Sequence, residues 1–102
     1  MDTGALAEAI RAHRVVELLY QDPIGAGSRI VHPHALFRTA TGGLCLDGVQ
    51  VAGRTRSGRL PAWRQFHVMR IVDVRISDET FETAPDFEPR SGKYHLGLIA
   101  SA

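Results

Sequence analysis

The stretch Leu6-Ala7-Glu8-Ala9-Ile10-Arg11-Ala12-His13-Arg14-Val15-Val16-Glu17-Leu18-Leu19-Tyr20 changes its period in the middle. Leu6, Ala9, Ile10 and His13 recur at helical spacing, and Asp2 or Thr3 stands where an N-terminal cap belongs. From Val15 the residues are β-branched, aliphatic and aromatic, which is strand composition. The switch after Arg14 predicts one short helix followed directly by a strand. Gln21-Asp22-Pro23 to Gly25-Ala26-Gly27-Ser28 then supplies turn chemistry.

Four more strands are expected downstream. Arg29 to Phe37 is the second, with Pro33 inside it. Proline cannot donate a ladder hydrogen bond, so this strand is predicted at an edge or bulged there. Leu44 to Val51 is the third, interrupted by Gly48 at a point suited to a bulge or sharp bend. Trp63 to Val68 is the fourth and Ile71 to Ile76 the fifth, with Met69-Arg70 as the corner between them. One helix and five short strands with turn-rich spacing predict a mainly β fold. The expected form is a small, curled antiparallel sheet that closes into a barrel and so hides its edges.

The 102 residues make one domain, and 44% hydrophobic with 23% charged residues excludes whole-chain disorder. No apolar run approaches the roughly 20 residues of a membrane-crossing helix. The start lacks the basic and apolar regions of a secretory signal. Cys45 is the only cysteine, so an internal disulfide and a CxxC motif are both excluded. These features predict a cytoplasmic protein without a membrane partner.

Net charge is only +1, but it is unevenly placed. Arg54, Arg56, Arg59, Arg64 and Arg70 fall between Asp47 and Asp73 with no acidic residue among them. Asp78, Glu79, Glu82, Asp86 and Glu88 follow. The basic stretch reads as a solvated loop, as an anion-binding face, or as the docking place of the acidic tail. Trp63 and Phe66 are interleaved with it, either as core residues or as platforms for bases. Beyond Thr80, Phe81, Phe87, Tyr94, Leu96, Leu98 and Ile99 are too many apolar residues for a free tail. The segment is expected to be ordered, wrapped on the body or on a neighbouring subunit.

Catalytic motifs are missing. There is no G-x-S-x-G elbow and no glycine-rich phosphate loop, and Cys45 sits between two leucines with no base tied to it by spacing. His32-Pro33-His34 places two imidazoles on one strand, but no third ligand lies at motif spacing. Neither metal nor cofactor is expected. Protonated, the two histidines could still touch an anion.

Four pieces, in order, resemble the WYL domain, a small Sm-like or SH3-like barrel found mostly in bacterial transcription regulators. They are Leu6–Ile10 with Val15–Tyr20, then Arg29-Ile30-Val31-His32-Pro33-His34-Ala35-Leu36, then Gly43-Leu44-Cys45-Leu46, then Arg64-Gln65-Phe66 with Arg70-Ile71. In the naming tripeptide Leu44 and Cys45 replace Trp and Tyr, and Leu46 agrees. The resemblance implies a domain over 1–84, followed by an irregular extension over 85–102; the lack of the helix-turn-helix that regulators of the family usually carry upstream is a departure here, and a stand-alone, divergent member is expected. The resemblance also implies a non-catalytic sensing module for a negatively charged ligand, a nucleotide-type small molecule or single-stranded nucleic acid. Arg64 and Arg70 carry over by position and Arg29 more weakly, with His32 and His34 as lesser contributors. The competing expectation is an interaction module that forms a homo-oligomer through Phe81, Phe87, Tyr94 and Leu98.

Overall fold

A computed structural model describes residues 2–23, 25–55 and 58–102. Arg56, a member of the basic stretch, lies outside the described residues. The elements in chain order are helix α1 (Thr3–Arg11), β1 (Arg14–Asp22), β2 (Gly25–Arg38), β3 (Leu44–Gly53), β4 (Ala62–His67), β5 (Ile71–Thr80) and β6 (Leu98–Ser101). Short 3-10 turns occupy Val68–Arg70 and Gly92–Tyr94.

The Asp2 carboxylate caps α1 by accepting the Ala5 amide at 3.1 Å, which satisfies one of the donors a helix start leaves open. Leu6, Ala7, Ala9 and Ile10 form its buried face. They pack on Val16, Leu18, Val31, Leu36, Leu46 and Phe66 from one face of the sheet. Strand alternation sends the intervening residues the other way. Ala35, Phe37 and Cys45 therefore build a second cluster on the opposite face, closed by Phe87 and Tyr94 from the C-terminal segment.

All pairings are antiparallel, in the order β4-β3-β2-β1-β5, with β6 also on β2. The sequence predicts five strands, and the described residues form six. The sixth comes from the segment read as irregular, where Ala100 pairs with Leu36 and Leu98 with Phe37. β2 can hold this extra partner because β1 pairs only with its first half, as far as Val31. The strand order does not join its two ends, β4 and β5, so the sheet is open among the described residues.

Pro33 lies in a central strand, not at an edge. The ladder shifts register between Pro33 and Ala35, and Pro33 stands opposite Gly48. A Cβ at Gly48 would lie 2.6 Å from Val31 Cγ1 and 2.8 Å from the His32 carbonyl. The bare glycine lets β2 approach closely at its bend, so the two bending residues act at one place. β5 also runs on past Ile76 to Thr80, paired along β1.

Candidate functional site

The C-terminal segment crosses the second face of the sheet as a strap. Among the described residues four polar side-chain contacts fix it there. His34 is fully buried; its Nε2 accepts the Ala84 amide at 3.0 Å and its Nδ1 lies 2.7 Å from the His32 carbonyl. An acceptor at Nε2 and a carbonyl partner at Nδ1 define the neutral tautomer with the proton on Nδ1. The Trp63 indole donates to Asp86 at 2.8 Å. Asp47, buried on β3, accepts the Tyr94 hydroxyl at 2.8 Å and the Lys93 ammonium at 2.7 Å. Burial, with the Asp47 carboxylate beside it, pushes the Tyr94 hydroxyl well above the usual tyrosine range.

Between strap and sheet lies a cavity of about 320 Å³. Trp63 from β4 and Phe87 and Tyr94 from the strap give it aromatic walls. Trp63 and Phe87 are stacked at 6.1 Å between centroids. Two cations, Arg64 and Lys93, line it, and so do three carboxylates, Asp47, Asp86 and Glu88. Arg64 is held in place, donating to the Thr55 hydroxyl and the Trp63 carbonyl, each at 3.1 Å.

The five residues singled out in the sequence do not converge on one patch. Arg64 alone among them lines the cavity. Arg70 is exposed in the turn after β4. Arg29 is buried in an ion pair with Asp22 at 2.9 Å, its guanidinium 5.1 Å from the centre of the Tyr20 ring, and serves the core. His32 and His34 meet at Phe81. His32 stacks on one side of that ring at 5.1 Å and His13 stacks on it at 5.3 Å. Burial lowers the affinity of both His32 and His34 for protons, against the pull of Glu79 on His32.

Asp47, Asp86, Lys93 and Tyr94 are not among the ligand-binding residues that the sequence singles out. A carboxylate inside an apolar strand, Leu46-Asp47-Gly48, was the one available signal, since an acid there needs a partner when buried. Phe81, Phe87 and Tyr94, candidates for contact with another subunit, are buried within their own chain. Cys45 is buried beside His67, 3.5 Å from Nδ1, and burial pushes its thiol above the usual range. That is the reverse of what a nucleophile needs.

The fold and pocket together define a small antiparallel β domain whose own C-terminal strap lines one side of an open pocket. Residues 3–76 match the WYL domain model, and the chain belongs to that family. Among solved structures it is similar to the proteasome accessory factor B/C (PafBC) of Arthrobacter aurescens. The TM-score is 0.68 at 22% identity, over 86% of this chain and 13% of that one. The likeness is one of fold, and this chain spans only that small share of the larger protein. No curated protein matches the sequence. No described helix is long and apolar enough to cross a membrane.

Proposed function

We propose that the protein is a cytoplasmic, non-catalytic ligand-sensing module of a regulatory system, and that the cavity under the strap takes a nucleotide-type anion. One observation carries this reading: an aromatic wall of Trp63, Phe87 and Tyr94 stands beside Arg64 and Lys93 in one space. A base stacks on such a wall, and a phosphate takes charge-assisted hydrogen bonds from the two cations. Three carboxylates in the same lining disfavour a bare polyanion and suit a ligand that also offers N–H or O–H donors. The volume favours one nucleotide over a strand, since about 320 Å³ is at the low end of the roughly 300–1,000 Å³ of small-molecule pockets.

The same reading takes the sheet as the SH3-like (Sm-like) barrel of the family. In support, the Val68–Arg70 turn packs on both β1 and β3. The His67 amide also donates to the Tyr20 hydroxyl at 2.9 Å, tying β4 to β1.

Calorimetric titration with nucleoside mono- and diphosphates and with short single-stranded DNA, at two salt concentrations, tests the proposal. The expected result is binding of a nucleotide that Arg64→Ala and Trp63→Ala each weaken by about tenfold or more. Binding of DNA with a steep salt dependence would move the site to the strand. No binding of either class would sink the reading.

A further inference from the structure

β5 is a ten-residue edge strand, Ile71–Thr80, and beyond its far side the strand order holds no further strand among the described residues. An open edge of this length is a template for another strand, and folded proteins blunt such edges with short strands, prolines or cover. The opposite edge, β4, is short and carries the strap against Trp63. Along Val72–Ile76 β5 has no proline and stays exposed, and its one irregularity lies at the Val72 end, where the pairing with β1 shifts register. Val72 and Ile76 are 57% and 43% exposed, and Met69 in the preceding turn is 90% exposed.

The edge also points its hydrogen-bonding groups outward. The Val74 amide donates to the carboxylate of its neighbour Asp73 at 3.0 Å. In an antiparallel ladder alternate residues turn their amides away from the paired strand, and an amide held by a side-chain carboxylate is one of these. Val74 therefore turns its amide outward, with Ile76 in the same phase, while at Val72 the ladder is irregular, since Leu19 pairs with Asp73 and Tyr20 with Ile71.

The order Val72-Asp73-Val74-Arg75-Ile76 is complementary to itself when reversed. We propose that β5 pairs antiparallel with β5 of a second copy of this chain about a two-fold axis at Val74, joining the two sheets into one. Val74 then meets its own copy and exchanges two backbone hydrogen bonds with it, its amide passing from the Asp73 carboxylate to the copy's carbonyl. Val72, at the irregular end of β5, lies beside Ile76 of the other copy, apolar against apolar. On the opposite face Asp73 meets Arg75 of the other copy, twice by symmetry. Neither Asp73 nor Arg75 makes an ion pair within the described chain. A shift by two residues, the smallest that keeps the same faces together, sets Asp73 against its own copy or Arg75 against its own copy, so like charges select this register. The contact is isologous and closes at two copies.

Sedimentation equilibrium of the full chain over a range of concentrations tests this. The wild type is expected to be a dimer. Asp73→Arg and Arg75→Asp each turn both cross-strand ion pairs into like-charge pairs, and are expected to weaken association by about tenfold or more. Mixed in equal amounts, the two variants are expected to form a heterodimer, because every like-charge pair becomes an opposite pair. The double variant D73R/R75D is expected to dimerise again. Both side chains are exposed, and the milder Asp73→Asn and Arg75→Gln serve if a charge reversal fails to fold. A wild type that is monomeric throughout overturns the proposal. So does a dimer indifferent to these substitutions, or single variants that do not reassociate on mixing.

Discussion

His34 Nε2 accepts the Ala84 amide at 3.0 Å, so a fully buried imidazole in β2 holds the first turn of the strap. The bond exists only while Nε2 is unprotonated. Burial chiefly keeps it so; the bond to the His32 carbonyl opposes the effect, as does the Asp86 charge, while the His32 and His13 rings add to it.

Stability is therefore expected to depend on pH below neutrality. The folded pKa of His34 lies below the ordinary value of 6.5, and that of His32 does too. As pH falls through 6.5 the unfolded chain takes up protons that the folded chain refuses, so stability is intact above this value and declines below it. Urea midpoints measured between pH 7.5 and 5 should fall. In His34→Gln the fall should be shallower, from a starting stability lower by about 1–3 kcal/mol.

The Asp47 latch is expected to hold the strap by a charge-assisted bond. Tyr94→Phe removes a buried donor at 2.8 Å from the Asp47 carboxylate and should cost about 1.5–3 kcal/mol. Lys93 is half exposed, so Lys93→Met should cost about 1 kcal/mol or less. Denaturant unfolding of both variants checks the ranking, and equal costs would contradict it.

Arg29 and Arg70, indistinguishable by residue type, are expected to behave in opposite ways. Asp22→Ala leaves the Arg29 guanidinium buried without its ion-pair partner and should cost about 3–5 kcal/mol. Arg70→Ala, at an exposed turn position, should change stability by about 0.5 kcal/mol or less. Thermal melts of the two proteins read this directly.

Gly48→Ala is expected to destabilise by about 1–3 kcal/mol. The added methyl meets the Val31 side chain at 2.6 Å and the His32 carbonyl at 2.8 Å, and the carbonyl cannot turn away without disturbing β2. A melting temperature equal to that of the wild type would show that β2 does not approach so closely.

Removal of the segment after Ser77 is expected to do more than any point substitution. It takes away β6, the roof of the second cluster and the partners of His34, Trp63 and Asp47. Loss of a cooperative melting transition is the outcome to look for in calorimetry.

The sequence by itself determined the helix, the switch to strands after Arg14, and the alternation that sends Leu36 and Leu46 to one face and Phe37 and Cys45 to the other. These are local: two-residue and helical periods are written into neighbouring side chains. It also marked Pro33 and Gly48 as bending points, though not that they face each other across one ladder. What tertiary structure decided is which charge meets which. Arg29 and Arg64 look alike in sequence, but the fold brings Asp22 to one and sets the strap beside the other across an open pocket. Asp47 finds Tyr94, and His34 finds Ala84, across separations of 47 and 50 residues. Burial turns each of these polar groups into one that must be partnered, and the partner is fixed by where the chain returns, which no local pattern records.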